Sequence, residues 1–191
     1  MKRIKSIFLV VVVTLGLAVG LFFIYKKYLT SSSFSSRESI QDFNFEADGP
    51  QVDALFRKGD NRYWMLNNGI LNNYSIDFML RHNSSSQHAK LHNLVLKVLK
   101  IDGRLAGFLA YHSHSEHVWQ LLFLLVDQDF RRQGIAKKLL KYSLDDMVRR
   151  GALKVNIATR NNNFRSQGLY KNFGIKQIGS DEQFVFFSWY K

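Results

Sequence analysis

The chain has 191 residues, which suits one domain of about 150 residues with a short appendage. Hydrophobic residues make up 46% of it and cysteine is absent, so a sizeable core is possible while disulfides, thiolate metal sites and a cysteine nucleophile are excluded. The net charge of +12 favours an anionic partner, which leaves nucleic acid, anionic lipid and a polyphosphate ligand as candidates.

The first predicted element is an uncharged apolar segment, residues 6–25, with the length of a membrane-spanning helix. Basic residues flank it on both sides: Lys2, Arg3, Lys5, Lys26 and Lys27. We predict a membrane anchor over residues 1–28 and a Ser-rich linker over residues 29–38. One alternative is a cleaved signal peptide, because Ala18-Val19-Gly20 resembles a cleavage site. A buried core helix is the other alternative.

The folded domain is expected over residues 39–191. Its first part predicts a strand, a turn at Asp48-Gly49-Pro50, two helices and a loop. The expected ranges are 40–45 for the strand, 51–57 and 71–81 for the helices, and 83–87 for the loop.

The second part of the domain predicts strands that alternate later with helices. Asp102-Gly103 is a hairpin turn pair. Leu121 to Val126 is almost wholly apolar, as expected of a central strand that is buried on both faces. The expected strands are 94–101, 105–112, 118–126, 154–158 and 184–190, and the expected helices are 134–150 and 163–172.

The junction between the strand at 118–126 and the next helix carries the clearest chemical signal. The first amides of a helix lack partners within it and favour a negative charge. Gly134 and the small Ala136 allow an anion to approach the backbone, and Arg131 and Arg132 add positive charge. This pattern predicts a diphosphate cradle. A helix start with a tightly packed glycine is the alternative.

Two groups of residues form recognisable motifs: Arg131, Gly134 and Ala136 in this loop, and Asn163, Tyr170 and Gly174 farther along the chain. The first resembles the acetyl-CoA signature of the GNAT superfamily of N-acetyltransferases, Arg/Gln-x-x-Gly-x-Gly/Ala. The second resembles the later Asn…Tyr…Gly motif of that superfamily, with Gly168 and Ile175 as departures. The resemblance implies an α/β (α+β) domain with a mixed, mostly antiparallel central sheet flanked by helices, to which the apolar segment at residues 6–25 adds a predicted N-terminal transmembrane helix.

The resemblance also implies the roles of individual residues. Amides near Leu124 and Val126 would pair with the pantetheine arm of acetyl-CoA, and Asn163 would hydrogen-bond that arm. Tyr170 would protonate the departing thiolate as a general acid. The diphosphate would lie on the backbone of Arg131, Arg132, Gln133, Gly134, Ile135 and Ala136. The alternatives are that Tyr170 is a core aromatic and that Asn163 caps its helix.

A base is expected to remove a proton from the attacking amine. Glu116 and His117 stand at the start of the strand at 118–126, where many GNAT enzymes present a carboxylate, and ordered water is the alternative relay. His112, His114 and His117 suggest a metal site by type, but a turn separates them. We expect no metal.

The resulting prediction is an acetyl-CoA-dependent N-acetyltransferase that acts on a primary amine of a small molecule or protein. The alternative is a non-catalytic CoA-binding or regulatory module at a membrane. A nucleic-acid partner is not expected, because the sequence lacks a base-reading helix or a stacking platform. The flanking charges lean toward a cytoplasmic N-terminus, but the supply of acetyl-CoA favours a single-pass protein whose catalytic domain faces the cytoplasm.

Overall fold

A computed structural model describes residues 38–65, 73–82 and 92–191 of the chain. Its centre is a seven-stranded sheet with the strand order β1-β2-β3-β4-β5-β7-β6. Neighbouring strands are antiparallel except β4 and β5, which are parallel. The strands are β1 (Glu38–Asp42), β2 (His92–Ile101), β3 (Arg104–Ser113), β4 (Val118–Val126), β5 (Lys154–Arg160), β6 (Lys176–Ser180) and β7 (Phe184–Tyr190).

Helices cover both faces of this sheet. They are α1 (Phe45–Arg57), α2 (Gly59–Met65), α3 (Asn73–His82), α4 (Ile135–Arg149) and α5 (Phe164–Asn172), with a short 3₁₀ turn at Gln128–Phe130. Apolar residues of α1 and α3 form one buried cluster with β2, β3 and β4. Residues of α4 and α5 form the other buried cluster on the opposite face. The sheet is therefore the middle layer of three.

Helix α1 begins earlier than the sequence predicts, so the expected turn at Asp48-Gly49-Pro50 is wrong. The Asn44 side chain accepts from the Ala47 amide at 2.9 Å, and Asp48 accepts from the Asn44 amide at 3.0 Å. This reciprocal cap starts the helix ahead of Pro50. Asp48 and Gly49 are buried, and Asp48 also pairs with Lys100 of β2 at 2.6 Å. Capping and burial together outweigh the local turn preference.

Strand β4 changes its buried face halfway along. Trp119 and Leu121 pack into the α4 and α5 cluster, whereas Phe123 and Leu125 pack into the α1 and α3 cluster. A register shift against β3 falls between Leu121 and Phe123. An inserted residue in a strand reverses the alternation of side chains, which accounts for the switch.

The bulge coincides with the end of pairing between β4 and β5. Their parallel ladder runs from Val118 and Lys154 to Leu121 and Ile157. Beyond that pair, within the described chain, β4 remains paired with β3 and β5 remains paired with β7. The two central strands therefore part toward their carboxyl ends.

Helix α4 packs closely on the sheet because β3 offers a glycine beneath it. A Cβ at Gly107 would lie 2.8 Å from Leu139 Cδ1 and 2.9 Å from the Leu125 carbonyl oxygen. Farther along the same helix lies Asp146, whose buried carboxylate accepts a hydrogen bond from the Tyr111 hydroxyl of β3 at 2.5 Å. These contacts fix the position of the helix that follows β4.

The structure confirms most of the predicted strands and helices from residue 92 onward, including the hairpin at Asp102-Gly103. The sequence did not predict α2 or β6 as separate elements. The predicted anchor over residues 1–28, all but the last residue of the predicted linker over 29–38, and the predicted loop over 83–87 lie outside the described residues. None of the helices described in residues 38–65, 73–82 and 92–191 has the length and hydrophobicity of a membrane span.

Candidate functional site

A cavity of about 820 Å³ opens where β4 and β5 part. Its walls come from the end of β4, the loop before α4, the start of α4, and helices α5 and α2. Most of the predicted binding residues and the predicted acid line it together: Leu124, Val126, Arg131, Arg132, Gly134, Ile135, Ala136, Asn163 and Tyr170.

The loop before α4 presents backbone amides to this cavity. Arg132 and Gly134 both have positive φ angles, 66° and 79°, and Gly134 caps α4 without any side chain. The first amide that forms a hydrogen bond within helix α4 is that of Lys138, which donates to the Gly134 carbonyl at 3.0 Å. The amides of Ile135 and Ala136 precede that bond and are open to a ligand. Alternating left-handed residues of this kind form an anion-binding nest.

The end of β4 presents two further amides. Asp127 donates its amide to the Ala106 carbonyl of β3 at 2.9 Å. Because successive N–H groups of a strand point to opposite sides, the amides of Val126 and Leu124 point away from β3, toward the gap left by β5. This is the orientation that an extended ligand needs in order to pair as an additional strand.

The Arg131 side chain makes contacts within the protein. Its Nε donates to the Val126 carbonyl at 3.3 Å, Nη1 to Asp60 at 3.1 Å and Nη2 to Asn61 at 3.0 Å. Asn61 is buried and donates to the Leu55 carbonyl at 2.9 Å. Arg131 therefore links α2 to the end of β4, and its predicted contact with a diphosphate stays a prediction that concerns its backbone.

The lining of the cavity is basic. Its charged residues have a formal net charge of +3. They are one acid, Asp60, and four cations, Arg131, Arg132, Lys137 and Arg165. Asp60 lies between two of the cations, 3.1 Å from Arg131 and 3.4 Å from Arg165. An electropositive cleft of this kind concentrates polyanionic ligands.

Tyr170 lines the cavity from helix α5. The residue is only 6% exposed, and its ring packs edge-to-face on Phe187 with centroids 5.4 Å apart. Burial raises the pKa of Tyr170 to about 12, against a smaller lowering by the Ser166 side chain. The phenol therefore keeps its proton at neutral pH and can serve as a proton donor. It is also a core aromatic, so both interpretations of this residue agree with its position.

Asn163 is the N-cap of α5. Its Oδ1 accepts from the Ser166 amide at 3.2 Å, which confirms the capping interpretation. The residue also lines the cavity, so its predicted contact with a cofactor arm stays a prediction that the position permits.

Three residues at the start of α4 that were predicted to bind the diphosphate differ in their burial and contacts. Gln133 is exposed, does not line the cavity, and donates to the Asp129 carbonyl at 3.4 Å. The Ile135 side chain is buried in the core, so only its backbone faces the cavity. Ala136 is half-buried and offers a short side chain.

The predicted base is not brought together with Tyr170. The Glu116 side chain is 88% exposed and is 3.9 Å from His117, in the turn that precedes β4. Leu124 is eight residues farther along, or ~26 Å of extended chain. This position gives the base role no support. Among the described residues, no group of three histidine, aspartate or glutamate side chains is arranged to hold a metal ion.

Several residues that line the cavity were not predicted from the sequence: Asp60, Asn61, Trp64, Phe164 and Arg165. Phe164 is a large aromatic residue that lines the cavity and is 75% exposed. The position of Phe164 and Arg165 directly after the N-cap Asn163 was the sequence feature that could have indicated a place in the cavity. No signal marked α2.

Comparison with known proteins shows the family and the fold of the chain. The model of the acetyltransferase (GNAT) family matches residues 52–175. The PaiA N-acetyltransferase of Thermoplasma acidophilum, solved in complex with coenzyme A, superposes with a TM-score of 0.62 at 18% identity, over 81% of this chain and 99% of that one. The ribosomal-protein-S18-alanine N-acetyltransferase of Escherichia coli gives a TM-score of 0.61 at 16% identity, over 79% and 92%.

Human N-acetylaspartate synthetase is 30% identical to this chain over 89 residues. That match covers 46% of this chain and 30% of the human protein. The two proteins therefore share one segment, well short of the whole length of the relative.

Proposed function

The chain belongs to the GNAT family of acetyltransferases, and we propose that it transfers an acetyl group from acetyl-CoA to a primary amine. The observation that carries this proposal is the meeting of a basic amide nest, a parted β4 edge and a buried phenol in one cavity. The acceptor is a small molecule or a protein amine.

The described residues fit coenzyme A. The amides from Arg132 to Ala136 would hold the diphosphate, and the Leu124 and Val126 backbones would pair with the amide groups of the pantetheine arm. Arg165 and Lys137 supply charge for the remaining phosphate, and Phe164 offers its exposed ring to the adenine.

Acetyl-CoA supplies the acetyl group as a thioester. In the proposed reaction the amine nitrogen forms a bond to the thioester carbonyl carbon as the C–S bond breaks. An amide at the end of β4 donates to the carbonyl oxygen and stabilises the charge that develops there. Tyr170 gives its proton to the departing sulfur and regains one from solvent. The proton lost by the amine passes to water, since Glu116 is remote from the cavity.

A non-catalytic CoA-binding module remains the alternative, and the presence of a buried, protonated Tyr170 in the cavity favours the enzyme. The test incubates the full chain with acetyl-CoA labelled in the acetyl group and a panel of amines, and follows labelled amide by mass spectrometry. Transfer that disappears in Tyr170→Phe supports the enzyme. Tight CoA binding without transfer to any amine supports the module.

We also propose that residues 6–25 anchor the chain in a membrane with the catalytic domain in the cytoplasm. The support is the length and hydrophobicity of the segment, together with the need for acetyl-CoA. Protease protection in sealed vesicles tests this arrangement. Protection of the catalytic domain on the side away from the cytoplasm would contradict it.

A further inference from the structure

Arg132 has a strained backbone conformation in the loop before α4. Its φ angle of 66° lies in the left-handed region, which glycine adopts freely and which residues with a Cβ disfavour. The Arg132 side chain is exposed, so its own packing does not impose this angle. A strained residue persists only where the surrounding structure determines its conformation. The contacts of the neighbouring residues therefore decide whether the nest keeps its shape.

The loop stem, residues 127–131, precedes this strained residue and is organised by Asp127. The Asp127 Oδ1 atom accepts from the Asp129 amide at 2.9 Å, and the Asp127 carbonyl accepts from the Phe130 amide at 3.0 Å. The Arg131 amide donates at 3.3 Å to a carbonyl of the same turn. The orientation of this turn sets the direction in which the chain enters the nest.

The junction between helices α1 and α2 contacts the loop stem at both of its ends. It is made of the residue before α2 and the first three residues of α2, which are Lys58, Gly59, Asp60 and Asn61. Lys58 Nζ donates to both carboxylate oxygens of Asp127, at 2.9 and 3.1 Å, and lies 3.6 Å from the Asp129 carboxylate. The last two residues of the junction accept from the Arg131 guanidinium. The junction therefore holds the first and the last residue of the stem.

The backbone of the junction also lies against the stem. Gly59 has a φ of 49°, and a Cβ at this position would lie 1.9 Å from Nε2 of the Gln128 side chain. The Gln128 side chain therefore folds directly over the Gly59 backbone. Glycine suits this position because it accepts both the positive φ and the close approach.

The junction rests on a fixed part of the core. Phe56 is fully buried in the last turn of α1, and its ring packs edge-to-face on Phe108 and Phe123 with centroids 5.5 and 5.1 Å apart. Asn61 is also buried, and its Nδ2 donates to the Leu55 carbonyl at the end of α1 at 2.9 Å. A side chain that projects from the junction therefore starts from a well-defined position.

We propose that Lys58 is a positioning residue for the diphosphate nest, because its bond to Asp127 keeps the loop stem in the orientation that holds Arg132 at positive φ. Lys58 is not among the described residues that line the cavity, so its effect reaches a ligand through the loop. The Asp127 carboxylate caps the turn of the stem as well as pairing with Lys58, so loss of the pair loosens the cap. This inference rests on the proposed binding of acetyl-CoA.

The first test measures CoA affinity by isothermal titration of the full chain. Lys58→Gln should weaken binding by about 3- to 5-fold, which is the most that an exposed ion pair usually contributes. Lys58→Arg keeps the ion pair with Asp127, so its affinity should stay within about 2-fold of the wild type. Normal affinity in Lys58→Gln would overturn the proposal.

A second background separates positioning from the loss of a positive charge near an anionic ligand. Glycine adopts a φ of 66° without strain, so Arg132→Gly removes the need for the stem to hold this angle. In the Arg132→Gly background, Lys58→Gln should change CoA affinity by less than about 1.5-fold, since the two effects are coupled. An equal loss in both backgrounds would show that Lys58 acts by its charge alone, and would overturn the proposal.

Lys141→Gln is the matched control. Lys141 pairs with Asp145 on the exposed face of α4 at 2.6 Å, as Lys58 pairs with Asp127 at 2.9 Å. The control therefore removes the same charge and one ion pair without touching the loop stem. It should leave CoA affinity within about 1.5-fold of the wild type. A loss as large as that of Lys58→Gln would mean that net charge is responsible, and would contradict the positioning role.

Amide hydrogen exchange without any ligand separates the positioning role from the proposed function. The amides of Asp129, Phe130 and Arg131 are bonded within the stem, so their protection reports its order. Lys58→Gln should lower that protection by about 3-fold or more. Lower protection in a chain that fails to bind CoA would support the positioning role and contradict the transferase. Unchanged protection in a chain that binds CoA would support the cofactor site and contradict the positioning role.

Discussion

Leu121 of β4 pairs with Ile157 of β5 at the last step of their parallel ladder. Leu124, Leu125 and Val126, at the end of β4, line the cavity that holds the predicted site. A bulge against β3 begins at the same place, and the added twist of a bulge turns one strand away from its neighbour. The gap in the sheet is therefore built into β4 itself.

Tyr170→Phe should lower kcat for acetyl transfer by about 10²- to 10⁴-fold, the usual contribution of a general acid. The ring remains to pack on Phe187, so stability and CoA affinity should change little. Because the pKa of Tyr170 is about 12, the wild-type rate should not fall through loss of this proton below about pH 11. Tyr190→Phe removes the hydroxyl of an exposed tyrosine and is the control. An unchanged kcat in the Tyr170→Phe variant would contradict the role of Tyr170 as the general acid.

Gly134→Ala should weaken CoA binding by about 10-fold or more. A side chain at its φ of 79° costs about 1–2 kcal/mol, and relief of that strain rotates the amides that hold the diphosphate. Isothermal titration with CoA measures the effect. Gly151→Ala is the matched control, because its φ is 100° and, like Gly134, it has no atom within 4 Å of an added Cβ. Equal losses of CoA affinity in the two variants would place the diphosphate elsewhere.

Asp60→Asn should strengthen CoA binding, by about 3- to 10-fold at low salt. Its carboxylate lies against Arg131 and Arg165 in the cavity, where it opposes the approach of phosphates. The gain should shrink at high ionic strength, because salt screens exposed charges. Asp77→Asn removes an acid that pairs with Arg81 on α3 and serves as the control. Weaker binding of CoA to Asp60→Asn would show that Asp60 acts by holding α2 in place.

Asp146 should make the domain sensitive to acid. Burial tends to raise the pKa of this carboxyl, but hydrogen bonds from Tyr111, Arg150 and Arg149 outweigh it and hold the pKa below its usual value. The stabilisation is therefore complete above about pH 4, where an unfolded aspartate is ionised, and it is lost as the pH falls through the lower folded pKa.

Asp146→Asn should accordingly reduce the free energy of unfolding by about 2 kcal/mol at pH 7 and by less near pH 2. Urea unfolding at several pH values measures this difference. The neighbouring Asp145→Asn is the control, since Asp145 is exposed and pairs only with Lys141 among its described salt bridges. A constant deficit across the pH range would show that ionisation of Asp146 contributes nothing.

The sequence predicted β4 well but not its bulge. Every residue from Leu121 to Val126 is apolar, so either face of the strand could be buried and the alternation carried no information about a shift at Leu122. The loop that follows was easier to predict, because Gly134 and the two arginines have a local chemical meaning.

The residues that sequence analysis missed depend on contacts between distant parts of the chain. Helix α2 is short, lacks a clear apolar stripe, and is held by Arg131, which follows it by about 70 residues. Glu116 stands at the start of β4, whereas the parted end of that strand is the one beside Tyr170. Only the three-dimensional pairing of β4 with β5 shows which end of the strand opens.

The most direct test of where the cofactor binds is amide hydrogen exchange with and without CoA. We expect added protection at Leu124 and Val126 and across Arg132 to Ala136, with little change at exposed β6. Such a pattern would place the pantetheine arm along the parted edge of β4 and the diphosphate on the nest. Protection confined to other segments, or no protection at saturating CoA, would contradict this placement of the cofactor.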